Sequence, residues 1–271
     1  MARRAGRRIK SEGGTLRTPG GHLSVPSRLV TANVVAQVTG QDAAQADSGG
    51  DAHGNDAVYA TEREVGSAHA EPVRQIVQQL FRMPGSEDRQ VVLFSALEAH
   101  AGASVLCSHV AETLAAQVDG RVCLVDADLR QPSLHHHFGV SAGPGLAEAL
   151  NDGESIRAGA EVRANLWLVT AGSSAADPGV QFASDRTGQV FDEFRQQFNY
   201  VLVHAAPIGE RRESLVLSRW TDGVVLIIQA NRTLHSTARR VRDSLVTAGV
   251  PLLAVALTEV APVPDILSRW L

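Results

Sequence analysis

The 271-residue sequence predicts an α/β fold, a doubly wound and mostly parallel sheet with helices on both faces. Three observations carry this. Its short runs of Val, Leu and Ile are continuous, not alternating, as strands buried on both faces require. Those runs alternate with stretches of helical periodicity, the pattern of parallel strands joined by crossover helices. Hydrophobic residues make up 44% of the chain and aromatic ones only 4%. The core must therefore rest on Val, Leu, Ala and Ile.

The elements follow in order. From Glu71 to Arg82, Val73, Ile76, Val77 and Leu80 recur at helical spacing. VVLF (91–94) predicts the first strand, with a loop and then a helix running through Leu114. VCLVD (122–126) is the second strand, followed by a loop and short helices. LWLVT (166–170) leads to a helix around Asp185–Phe198. YVLVH (200–204), VVLII (224–228) and LLAVAL (252–257) complete the set, with helices between them. No internal repeat interrupts the series.

Composition divides the chain near residue 70. Residues 1–70 are rich in Gly, Ser, Ala, Asp and Gln, and hold too few large apolar residues to offset their conformational entropy. They are expected to form a disordered tail, with 71–271 as the single folded domain. Arg3, Arg4, Arg7, Arg8 and Lys10 make the tip of that tail basic. A basic tip can contact anionic lipid at about 1 kcal/mol per charge, although a solvated tail is the plainer expectation.

Other classes are excluded by composition. With 25 basic and 29 acidic residues the net charge is −4, which is not that of a nucleic-acid binder. Cys107 and Cys123 lie in apolar segments without metal-ligand spacing, and are expected as buried free thiols. No run approaches the ~18–20 apolar residues of a membrane span, and no apolar stretch marks a secretory signal. The expected location is the cytoplasm, with any membrane contact peripheral, at the inner face, or through a partner.

In sheets of this kind ligands bind at the carboxyl ends of the strands. The first such loop, Ser95-Ala-Leu-Glu-Ala-His-Ala-Gly-Ala-Ser104, stands where many folds carry a phosphate-binding loop. Alone it reads as an ordinary turn. The second loop is more telling: Asp126-Ala-Asp128-Leu-Arg130-Gln-Pro132 ends the second strand, with Phe138-Gly139 and Pro144-Gly145-Leu146 beyond. Thr221-Asp222-Gly223 precedes the VVLII strand and Asn231-Arg232-Thr233 follows it.

With these residues the stretch 71–271 resembles the bacterial tyrosine kinases and capsular-polysaccharide regulators of the CpsD/CapB-like type. That family belongs to the deviant Walker-motif ATPases, P-loop proteins of three-layer αβα build that include partition and division ATPases. The closing Pro262–Arg269 resembles the tails of short members from exopolysaccharide loci. The resemblance implies ATP and Mg²⁺ as family cofactors, with the D-x-D-L-R-x-P stretch facing both.

The family pattern also exposes departures. Its loop reads S-A-x-P-G-E-G-K-S-T; here Gly102 falls on the lysine, Ala103 on the Mg²⁺-binding hydroxyl and Ser104 on the following Thr. Ala99 and Ala101 replace cradle glycines. His204 stands where the strand-end Asp of D-x-P-P belongs, and Thr258 where an adenine-binding Asn belongs. The chain's single lysine is Lys10, in the tail, which leaves an arginine such as Arg130 as the substitute. Losing a lysine and a metal ligand removes roughly 1.5–3 kcal/mol each, a factor on the order of 10² to 10⁴ in nucleotide affinity. ATP binding is therefore expected to be weak or absent.

Asp126 and Asp128 could face a metal, but a strand-end Asp also caps the next turn or pairs with a base such as Arg130; the second role is preferred. His135, His136 and His137 diverge as neighbours do and read as a solvated helix end instead of a metal set. His204 reads as a hydrogen-bonded structural histidine before a general base. The tyrosine cluster of the family's C-terminus is missing, since only Tyr59 and Tyr200 occur. Glu71 and Arg74 fit the family's E-x-x-R-x-x-R subunit contact, with Val77 in place of its last arginine, so a homo-oligomer and a helix packed on its own domain are both open.

The leading expectation is a pseudokinase that partners a membrane polysaccharide co-polymerase or export protein. An active tyrosine autokinase or ATPase with an unorthodox loop is the second reading, and a partition- or division-type positioning protein the third.

Overall fold

In a computed structural model the structure describes residues 35–38, 67–99, 101–151, 159–173, 176–230 and 232–258. Strands β1 (Val35–Val38), β2 (Val91–Ala96), β3 (Val122–Asp126), β4 (Ala160–Arg163), β5 (Leu166–Val169), β6 (Tyr200–Ala205), β7 (Gly223–Gln229) and β8 (Leu252–Thr258) form one sheet. Its order is β1-β8-β7-β2-β6-β3-β5-β4. Every pairing is parallel except the hairpin of β4 with β5. The doubly wound, mostly parallel architecture expected from the apolar runs is the one observed. No helix among the described residues is long and apolar enough to cross a membrane.

Helices α1 (Ser67–Phe81), α2 (Ala103–Ala115), α3 (Leu134–His137), α4 (Leu146–Asn151), α5 (Pro178–Phe182), α6 (Asp185–Gln197), α7 (Arg212–Ser218) and α8 (His235–Ala248) cover the sheet. Successive strand residues supply opposite faces. Val92, Phe94, Leu124, Leu202, Val225 and Ile227 pack with α1, α2 and α3. Val91, Leu93, Val125, Val203, Val224 and Leu226 pack with α4 to α8. Each such side chain contributes about 1.5–3 kcal/mol on burial, so apolar residues fill the body of these strands, and the buried polar ones, Ser95, Asp126, His204 and Gln229, sit at or near their carboxyl ends. That is why the runs carry no alternation. Cys107 and Cys123 are buried free thiols, and burial pushes both well up.

Two strands lay outside the sequence reading. The β4 hairpin (Ala-Glu-Val-Arg) is exposed and polar, and its register breaks at a bulge between Glu161 and Arg163. Val35–Val38, inside the stretch read as a tail, adds β1 to the edge of the sheet beside β8. The other features assigned to 1–66, with Lys10, Tyr59 and the basic tip, lie outside the described residues, as do His100, Asn231 and Pro262–Arg269.

Helix α1 begins four residues before Glu71 and turns Val73, Ile76, Val77 and Leu80 into the core. Glu71 and Arg74 point outward and pair with each other at 3.5 Å. An exposed pair of this kind adds little stability. Val77, the residue departing from the subunit-contact pattern, is fully buried.

Asp222 locks the amino end of the central strand. Its Oδ2 accepts the N–H groups of Gln90 (2.8 Å) and Val91 (2.7 Å), and Arg195 pairs with its Oδ1 at 2.7 Å. Asp222→Ala leaves two amides and a guanidinium without that acceptor. Urea unfolding is expected to show a loss of about 2–4 kcal/mol; an unchanged midpoint would contradict this role.

Candidate functional site

Strands β2, β6 and β3 are adjacent, with Phe94 opposite His204 and His204 opposite Asp126. Their carboxyl ends therefore bring together three loops distant in sequence: 97–102, 127–133 and 206–211. This is where ligands bind in open parallel sheets.

Asp126 is fully buried. Its Oδ2 accepts the N–H groups of Ser133 (2.9 Å) and Leu134 (3.0 Å), capping the start of α3. Its Oδ1 accepts the Asp128 N–H at 3.2 Å and lies 3.3 Å from His204 Nδ1. Burial alone would raise the Asp126 carboxyl, but His204 and the two amides outweigh it and hold the group below the usual carboxylate range. Asp128 shifts the other way. Burial raises it, with Asp126 adding to the effect, and the N–H groups of Gln131 (3.0 Å) and Arg130 (3.2 Å) on its Oδ1 offset that only in part. Both carboxylates thus hold the turn that they begin.

Arg130 pairs with neither. Its Nε donates to Glu213 Oε1 at 2.7 Å and its terminal nitrogen to Asp177 Oδ2 at 3.0 Å. The guanidinium ties α7 to the start of α5.

The described residues of the 97–102 loop are held by several bonds. The Leu97 N–H donates to Ile227 O, and the Ile208 N–H to Ala96 O. Ser95 Oγ donates to Ala206 O (2.7 Å) and accepts from the Ile208 N–H (3.0 Å), stitching β2 to the loop after β6. Gly209 passes so close that a Cβ there would lie 2.2 Å from Leu97 O, so only glycine fits. Glu210 Oε1 accepts the Ala99 N–H at 2.9 Å, and Glu98 Oε2 accepts the Thr233 hydroxyl at 2.9 Å. Buried Thr258 donates its hydroxyl to Ala101 O, also at 2.9 Å. Gly102, in the left-handed region at φ 70°, turns the chain into α2. Ala103 and Ser104 open that helix half-buried.

The structure thus brings Asp126, Asp128 and His204 together, and places Gly102, Ala103, Ser104 and Thr258 around the neighbouring loop. Glu71 and Arg74 stand apart on α1. Glu98, Glu210, Glu213 and Asp177 were not singled out from the sequence, and Thr233, read as part of Asn231-Arg232-Thr233, was not linked to the loop. Ala99 and Glu210 are 111 residues apart and Glu98 and Thr233 135 apart, so no local pattern pairs them.

The lowered Asp126 fixes the sign of a pH effect. A carboxyl depressed on folding contributes stability above its unfolded value and loses it as pH falls through the folded one. Asp126→Asn is expected to cost about 1–3 kcal/mol at pH 7. That gap should narrow below about pH 4 in urea titrations; a gap that widens in acid would contradict the assignment.

No protein-family model matches the chain. Among curated proteins, CapB of Staphylococcus aureus is 24% identical over 198 residues, 71% of this chain and 85% of its own length. The tyrosine-protein kinase YwqD of Bacillus subtilis is 26% identical over 64% of this chain and 74% of its own length. The succinoglycan biosynthesis transport protein ExoP of Rhizobium meliloti is 30% identical over 168 residues, 60% of this chain, which spans only 21% of ExoP. Among solved structures, the chimerical protein CapA2B2 superposes with a TM-score of 0.67 at 20% identity, covering 74% of this chain and 88% of that one. The VpsO kinase domain gives 0.63 at 25% identity, covering 69% and 93%. In sequence the chain is similar to bacterial tyrosine-protein kinases such as CapB and YwqD, and its fold is that of the CapA2B2 and VpsO kinase-domain structures.

Proposed function

We propose that this chain is a pseudokinase of the CapB/CpsD type, a cytoplasmic docking partner for a membrane protein of exopolysaccharide synthesis or export. One observation carries the reading: the loop that would cradle phosphates is engaged by the chain's own groups. Glu210 takes the Ala99 N–H, Thr258 takes the Ala101 carbonyl, and Glu98 is held at the same loop by Thr233. A phosphate arriving there meets two carboxylates. It finds no lysine at Gly102 and no hydroxyl at Ala103.

The residues present do not fit Mg-ATP. Arg130, the available substitute for the lysine, is committed to Glu213 and Asp177. Asp126 spends its oxygens on Ser133, Leu134, Asp128 and His204. A metal there would have to break the cap of α3.

A loop held by the chain's own groups suits a constant docking scaffold better than a nucleotide-driven switch. The polysaccharide assignment is supported by the relatives, ExoP among them, whose name is that of a succinoglycan biosynthesis transport protein. The exposed Glu71–Arg74 pair on α1 is the proposed contact between copies.

Isothermal titration of the full chain with Mg-ATP is expected to give no saturable binding below millimolar nucleotide. Missing contacts of about 3–6 kcal/mol in total put the deficit at a factor on the order of 10² to 10⁴. A low-micromolar Kd, or phosphotyrosine appearing on the purified chain with Mg-ATP, would overturn the proposal and establish an active autokinase.

A further inference from the structure

Away from the loop cluster, α2 and α3 bring together three side chains of metal-ligating type. His109 and Glu112 stand one turn apart on α2, and His137 ends α3. One ligand atom from each lies within 4.8 Å of the other two. The imidazoles of His109 and His137 meet edge to face with centroids 5.7 Å apart. All three residues are half-buried, so they combine a fixed backbone with access from solvent. The geometry points to a transition-metal site of Zn²⁺ class, with His109, Glu112 and His137 as its protein ligands and a fourth position left to water.

Chemistry selects the class. Two imidazole nitrogens and one carboxylate suit Zn²⁺, Co²⁺ or Ni²⁺; Mg²⁺ and Ca²⁺ prefer oxygen. Tetrahedral ligation at about 2.0–2.1 Å sets ligand atoms about 3.3 Å apart. The present spacing of up to 4.8 Å would have to contract by about 1.5 Å on loading. Three protein ligands with an open fourth position is the arrangement of reactive or exchangeable zinc sites, whereas closed structural sites use four.

One group opposes the cation. Arg163 on the β4 hairpin approaches Glu112 Oε1 with its Nε at 3.6 Å and stands over the Phe138 ring at 5.6 Å. A cleft of about 650 Å³ lined by Glu112, Ala115, Arg163 and Asn165 opens beside them. Glu112 and Arg163 both line this cleft, which leaves Arg163 room to withdraw. Loading the site would clamp α3 to α2, the helix that leads out of the 97–102 loop.

The test is titration of the full chain with Co²⁺, read by the visible d–d absorption of the bound ion and reversed by added Zn²⁺. One ion per chain is expected in tetrahedral or five-coordinate form. His109→Ala and His137→Ala should each weaken binding at least about tenfold, with His136→Ala, outside the cluster, unchanged. Arg163→Ala should tighten binding and Glu112→Gln should weaken it. These two leave both imidazoles in place and keep the test decisive if a histidine variant loses its far-ultraviolet circular dichroism. No stoichiometric binding by the native chain would overturn the site. So would equal affinity in His137→Ala and His136→Ala, or a lack of response to both Arg163→Ala and Glu112→Gln.

Discussion

Burial of β2, β6 and β3 on both faces is the constraint on which the rest of the molecule depends. With helices packed against each face, these strands have no exposed side, and each connection must leave from an edge. Loops 97–102, 127–133 and 206–211 are thereby delivered to one place, whatever their composition. The scaffold supplies a site position without supplying its chemistry. Chemistry has to come from the few side chains that the loops carry.

In this chain those side chains face one another. Asp126 engages the start of α3 and His204, Asp128 the turn behind it, and Arg130 two acids on α7 and at α5. Glu210 and Thr258 complete the pattern at the neighbouring loop. Buried polar groups must be satisfied internally or by a ligand. Here internal partners do it, and the same residues stabilise the fold. This physical content underlies the proposed pseudokinase.

The sheet was legible because burial on two faces writes itself as uninterrupted apolar runs, from VVLF at 91 to LLAVAL at 252. The β4 hairpin was not, since Ala160–Arg163 is an exposed edge with no apolar run to reveal it. At the site, Asp126, Asp128 and the loop departures at Gly102 and Ala103 could be read because they are contiguous. The pairings of Glu210 with Ala99 and of Thr233 with Glu98 could not, because each spans more than a hundred residues. The histidine triplet shows the same limit from the other side. The His135 and His136 rings lie 3.8 Å apart instead of diverging, and folding sets His137 beside His109 and Glu112 from another helix.

The central claim is that the 97–102 loop is closed by its own protein. Hydrogen–deuterium exchange of the full chain, with and without millimolar Mg-ATP, tests it most directly. The account predicts that amides of 97–105 and 126–134 exchange at the same rates in both conditions, with Ala99 already slowed through Glu210. Added protection of both segments by the nucleotide would contradict it.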